Sequence, residues 1–405
     1  MIKANSLLYA IYVCLLVSII CGGLIMYFNL YGQLNLFYNI NEELYIQNQS
    51  VVNYALGSKL DTKQFEIDTD SGIEKSFESK QFGLLNLLLV KTSSRNDTIN
   101  SAHFIGSYNL DKTAIYLSSF SKSLSYTGIV KITGDNKLPT AYIDVAYIEN
   151  KPNRLDLVGK NSISEIQLPK LNPKFISVFE GIKSEKTTLL DLEKLNDSLY
   201  YNSFLNQSKE IYLSNSNLNN IIFKGNFILK SKDSIRIKKN CVLEDVILIA
   251  PKITFETGFM GNVQAFATNG IELEPKVVLN YPSVICIYNK NIDVESKIKI
   301  KSDCKITGAV VLFGNDFSTI DKNNIEIDEK GLIFGDIYCT GKLMLRSNVY
   351  GSVFTNKFFL KTNSASYENL ITDIEVNTSK KPSYFISIPL FETKNTSYGL
   401  LKKVL

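Results

Sequence analysis

From residue 235 to residue 279 an apolar side chain recurs at every sixth position, in two interleaved series. The first series is Ile235, Cys241, Ile247, Ile253, Phe259, Ala265, Ile271 and Val277. The second, two residues further on, is Ile237, Leu243, Ile249, Phe255, Gly261, Ala267, Leu273 and Leu279. Fifteen of these sixteen positions are apolar and the other is glycine. Alternation over short stretches, repeated at a fixed period, describes short strands joined by corners, with an eighteen-residue coil made of three faces. Such a coil buries its apolar row only against the next coil, so the pattern predicts a parallel β-helix.

The frame breaks after Ile287 and again near Asn315 to Asn324. It resumes at Ile298, Cys304 and Val310, then at Ile325, Ile327, Ile333 and Ile337. Gly261, Gly308, Gly335 and Gly351 each stand two residues before an aliphatic residue, as does Gly128 in the middle of the chain. A corner that needs close backbone approach selects glycine at such a site. Gly128 hints that part of the middle region joins the same coil.

The second constraint lies at the N-terminus. No charged side chain occurs between Lys3 and Glu42, and Leu7 to Phe28 is apolar enough to cross a bilayer. Gly22-Gly23 is followed by Leu-Ile-Met-Tyr-Phe, which is a poor cleavage context for a signal peptide, so an uncleaved anchor is expected. Lys3 and the amino terminus should stay in the cytoplasm, with the bulk of the chain across the membrane. No proline precedes Pro139. Leu30, Phe37, Leu44 and Val51 recur every seven residues, beside Leu34, Ile40 and Ala55, which predicts that one helix runs on to a cap at Gly57. The column Leu30, Phe37, Leu44, Val51 is a candidate assembly face, either on the protein's own domain or on other subunits.

A short basic leader, an uncharged apolar helix and an amphipathic continuation from Ser6-Leu7-Leu8 to Tyr54-Ala55-Leu56-Gly57 resemble the N-terminal helix of type IV pilin-like proteins, minor pilins and pseudopilins most of all. The resemblance implies a helix that anchors in the inner membrane and packs in a filament core. Glu42 is the first acid here, whereas major pilins carry a glutamate near the helix start. The six-residue spacing resembles the bactofilin-like polymer-forming scaffolds and the hexapeptide acyltransferases. The latter use a histidine, and the single histidine, His103, lies outside the repeat.

The organisation expected is an anchor and helical shaft over 1–57, a β-rich region over 58–171, a helical insertion or cap over 172–206, the parallel β-helix over 207–360 and a capping segment over 361–405. Gly83 to Val90, Thr113 to Leu117, Thr127 to Thr133 and Thr140 to Ile148 read as strands. Asn172-Pro173 starts a helix carried on by Leu189, Leu192, Leu195 and Leu199. Tyr384 to Leu390 has a strand pattern that should cover an end or flank of the coil. The fold class is therefore mainly β behind a single transmembrane helix.

One histidine and no tryptophan weaken His-based catalysis and metal sites. None of the six cysteines forms a CxxC pair. Cys241 and Cys304 fall in the apolar frame, as buried thiols would, and disulfides remain open. Asp303, Asp316, Asp321, Asp328 and Asp336 mostly sit in the frame breaks, where solvated loops account for them. No catalytic residue, metal or cofactor is expected. The net charge of +4 does not call for nucleic acid. Arg236, Lys238, Lys239, Lys297, Lys299 and Lys301 form a basic stripe, either a solvated face or a contact for an anionic polymer.

The resulting expectation is a non-catalytic, single-pass protein of a bacterial inner membrane with a periplasmic domain, a minor pilin-like or pseudopilin-like subunit. The alternatives are a bactofilin-like polymerising scaffold and a binding module for an anionic surface polymer. The expected partners are the bilayer and other envelope or filament subunits, copies of itself included.

Overall fold

The computed structural model describes residues 4–58, 63–64, 72–94, 97–108, 112–120, 122–148, 151–181, 198–213, 216–291, 293–314, 320–362, 365–382, 385–388, 390–391 and 398–404. The chain divides into two compact units, residues 1–79 with 89–101 and residues 80–88 with 102–405.

The first unit is built on α1 (Ala4–Gly57), one unbroken helix of 54 residues and about 81 Å at 1.5 Å per residue. Every side chain described from Leu7 to Ile40 is exposed. From Leu44 on, one stripe of the helix (Leu44, Asn48, Val51, Val52 and Ala55) is buried, at the spacing of a single helical face. A polar contact fixes its register. Ser101 Oγ donates to Asn48 Oδ1 at 2.6 Å, and Thr92 Oγ1 donates to the Leu44 carbonyl at 3.2 Å. Asn48 Nδ2 reaches the Ile99 carbonyl at 3.4 Å. A buried amide is tolerated only when paired in this way.

An antiparallel sheet follows, with strands in the order Lys63–Gln64, Ile73–Phe82, Leu85–Ser94, Asp97–Ser107 and Tyr398–Val404. Its last strand is the C-terminal one. The chain from residue 108 to residue 397 is therefore an insertion between two neighbouring strands of one sheet.

The second unit holds that insertion, a parallel stack. Ile235, Ile253, Ile271, Ile298, Ile325, Leu343 and Phe358 pair in register from rung to rung, and all are buried. The core expected from the six-residue period is present, with corners as the glycines required. A Cβ on Gly335 would lie 1.7 Å from the Gly308 carbonyl oxygen, and one on Gly351 would lie 1.8 Å from that of Gly335. Only glycine fits where successive rungs approach so closely.

Four expectations need correction. Ile247 and Ile249 do not point inward; Val246, Leu248 and Ala250 join the core instead. Asp245 adopts φ 59°, and the strand register shifts between Glu244 and Val246 and again between Ala250 and Lys252. One extra residue reverses the sides, because the side-chain period of a strand is two. The helix read over 172–205 is described only as α2 (Lys174–Gly181), and Leu199 opens the strand Leu199–Asn202. Leu189, Leu192 and Leu195 lie outside the described residues.

The third correction is that α2 covers a flank and not an end. Phe179 meets Phe266 and Tyr288 edge-on at 5.5 and 5.6 Å, and Phe175 meets Phe313 at 6.3 Å. The C-terminal segment also lies on a flank, one of the two places expected for it. Tyr281 Oη donates to the Ile386 carbonyl at 3.0 Å, and Phe391 packs on Phe354 at 4.8 Å. Among the described residues between 385 and 391, Ser387 alone forms a bridge, to Ser107; Tyr384 and Pro389 lie outside the described residues. The fourth is that Thr140 to Ile148 contributes only the short strand Asp144–Val145.

The middle of the chain extends the stack beyond its last C-terminal strand. Thr113–Leu117 pairs in parallel with Val353–Lys361, Ile129–Thr133 with Glu375–Asn377, and Arg154–Val158 with Ile129–Thr133. Gly128, at φ 76°, is the corner that pointed to this.

Candidate functional site

The helix column divides into two halves. Leu44 and Val51 are buried within the first unit, while Leu30 and Phe37 are exposed, Phe37 at 50%. Among the described residues the exposed part of the column is therefore its N-terminal half.

The basic stripe is likewise redistributed by the rung register. Arg236, Thr254, Glu272, Lys299, Glu326 and Met344 form one row across six rungs. Lys297 stands in the neighbouring row, opposite Gly270 and Asn324. Lys238 and Lys239 sit at the corner before Cys241, off that face. Arg236 pairs with Glu256 at 3.2 Å. Lys301 reaches Glu274 at 2.9 Å and Glu272 at 3.2 Å; the Glu274 contact, with Glu272 beside it, raises the Lys301 pKa above the ordinary lysine value. These pairs link adjacent rungs at the surface, where each contributes at most about 1 kcal/mol.

Lys297 and Lys299 do something else: they line a groove of about 920 Å³ on this face. The register brings to the same groove four cations that spacing along the chain did not single out, Lys151, Lys330, Arg346 and Lys361. No motif joins them, because they come from different rungs and one comes from the far side of the insertion in sequence. The groove also holds three carboxylates, and each is paired. Glu326 takes Lys297, Glu329 takes Arg346 at 3.5 Å, and Asp373 takes Lys151 at 2.9 Å. Burial works against ionisation of Asp373, yet the Ile129 amide and the Lys151 ammonium outweigh it and hold the carboxyl below its usual value. Lys299, Lys330 and Lys361 are exposed, and among the described residues they form no ion pair. Met344 and Leu360 supply a buried apolar floor.

Other candidates are accounted for by structure. Asp336 is buried, accepts from Lys381 Nζ at 2.6 Å and from the Ser352 amide at 3.1 Å, and so braces a corner. Asp321 pairs with Lys342 at 2.8 Å. Asp316 lies outside the described residues. All six cysteines are free thiols; Cys241, Cys286, Cys304 and Cys339 are buried. Burial pushes the Cys339 thiol up to about 12 and the Cys304 thiol up to about 11, well away from a reactive thiolate. Among the described residues no group of three or more His, Cys, Asp or Glu is placed to hold a metal.

No family model matches this chain, and no curated protein is similar to it. Among solved structures it is similar to the crystal structure of the competence-associated pilin ComZ from Thermus thermophilus, at 9% identity over 85% of this chain and 86% of that one, with a TM-score of 0.27. At that score neither fold nor activity transfers between the two.

Proposed function

We propose that this protein is a membrane-anchored, non-catalytic structural subunit, pilin-like in its use of α1, that displays a parallel β-helix outside the cytoplasm. One observation carries the reading: the helix is much longer than its two local tasks require. About 20 residues cross a bilayer, and the protein's own sheet covers the helix only from Leu44. Between these stretches lie about four turns of helix bearing Leu30, Leu34 and Phe37, all exposed. Apolar side chains there gain stability by packing on helices of neighbouring subunits. In this reading the N-terminus is cytoplasmic, the membrane is the bacterial inner membrane and the insertion lies in the periplasm. The sole histidine, His103, is only 4% exposed, which supports a role without acid–base chemistry.

A phosphatase fused after Gly57 tests the orientation. Activity is expected there, with no signal from a reporter that matures only in the cytoplasm; the reverse pattern overturns the proposal.

A scaffold that polymerises through coil ends is a second reading, favoured by the last rung. Val158 and Ile163 there are 63% and 73% exposed, on strands that among the described residues pair along one edge. Charged substitutions at these two residues should break polymers in that reading and leave a helix-driven assembly intact.

A further inference from the structure

We propose that the groove on the charged face of the stack binds an acidic polysaccharide, whose carboxylates are held by Lys299, Lys330 and Lys361. The inference is independent of how the helix assembles.

The groove's chemistry selects the ligand class. Its three carboxylates already hold three of the six cations, so the surplus positive charge resides on those three exposed lysines. They reach the groove from different rungs: Lys299 from the strand Ser296–Ile300, Lys330 from the turn before Leu332–Leu345, and Lys361 from the end of Val353–Lys361. Neighbouring rungs of a parallel sheet are about 4.8 Å apart, so these charges are spread along the stack and do not converge on one point. A spaced set of point charges suits a polymer with one charge per repeating unit. It suits duplex DNA poorly, because DNA carries a charge every ~1.7 Å and is bound by dense cations. The carboxylates of Glu326, Glu329 and Asp373, each paired with a cation of the groove, can still accept hydrogen bonds from sugar hydroxyls, which duplex DNA does not offer. The apolar floor of Met344 and Leu360 offers a surface for the C–H face of a sugar ring.

Lys330 adopts φ 62°, a conformation that asparagine tolerates. The variant Lys299→Gln/Lys330→Asn/Lys361→Gln therefore removes the charge without forcing the backbone. The control is Lys209→Gln/Lys232→Gln/Lys252→Gln, three exposed lysines outside the groove. The full chain in detergent is titrated with oligogalacturonate, with neutral dextran and with duplex DNA of matched total charge, and thermal melts check each variant. The expected result is salt-sensitive binding of oligogalacturonate, no binding of dextran, at least tenfold weaker binding by the groove variant and less than twofold change in the control. Absence of oligogalacturonate binding, equal weakening in both variants, or tighter binding of DNA than of oligogalacturonate would overturn the proposal. If the groove variant melts early, Lys361→Gln alone carries the test: an unchanged affinity in that variant counts against the groove.

Discussion

Ile115 and Val353 are partners on adjacent parallel strands. The strand that leaves the antiparallel sheet early in the chain thus becomes the next rung after the last C-terminal one. Ser118 repeats the link, donating through its hydroxyl to the Asn356 carbonyl at 3.3 Å across 238 residues of sequence. An end of the coil that would expose apolar rows is covered by the chain's own earlier segment.

This pairing makes the middle region part of one cooperative stack. Ile115→Asp should destabilise the insertion about as much as Ile253→Asp, because both place a carboxylate among fully buried side chains, at a cost of several kcal/mol. A calorimetric scan should show one transition lowered by either change, with Lys252→Asp nearly silent. Two transitions, of which Ile115→Asp moves only one, would mean that the middle region folds separately.

The register shift at Asp245 gives a second test. Leu248→Ala should cost about 2–5 kcal/mol, as for a fully buried aliphatic residue, because Leu248 lies in the core. Ile249→Ala should cost clearly less, since Ile249 is half-buried on the outer side. Denaturant unfolding of the two variants decides. The opposite ranking would restore the uninterrupted six-residue frame.

His103 sets a pH dependence. Burial first, and then the positive charge of Lys403, lower its pKa from 6.5 to about 4, and among the described residues neither ring nitrogen has a hydrogen-bond partner. The folded state therefore takes up the proton at lower pH than the unfolded state. The stability due to the neutral imidazole is complete above about pH 6.5 and is lost as pH falls towards 4, by roughly 3 kcal/mol in all. Melting temperatures of wild type and His103→Leu should diverge across that window. Parallel curves would show that His103 protonates equally easily in both states.

The shaft splits into two kinds of position. Leu44→Ser should lower the melting temperature of the purified chain, because Leu44 is fully buried against its own unit. Leu30→Ser should leave that temperature unchanged, because Leu30 is exposed. A matching loss at both positions would mean that the upper helix also packs on its own chain.

The legible parts of the fold were those written as a period. The row from Ile235 to Ile325 followed from alternation, and Gly308 and Gly335 followed from the need for close approach at a corner. What was hidden depended on register between distant segments. Asp245 reverses the sides of its strand through one extra residue, and a local pattern cannot reveal such a shift when Ile247 and Ile249 are as apolar as Val246 and Leu248. Asn172-Pro173 announced a helix but not which surface its Phe175 and Phe179 would cover. Of the groove, Lys297 and Lys299 were visible as alternation on one strand. Lys151, Lys330 and Lys361 were not, because only the stacking order makes them neighbours.

Assembly in this protein is proposed to run through the exposed turns of α1. It is tested most directly by placing a photo-crosslinking residue at Phe37 in the full-length protein in its native membrane, with the same residue at buried Leu44 as control. The expected result is an ultraviolet-dependent band joining the protein to a second subunit from Phe37 and none from Leu44, with the Phe37 band lost when Leu30 and Leu34 are made serine. A Phe37 probe that yields only uncrosslinked protein or lipid adducts, in cells where the protein is assembled, would contradict it.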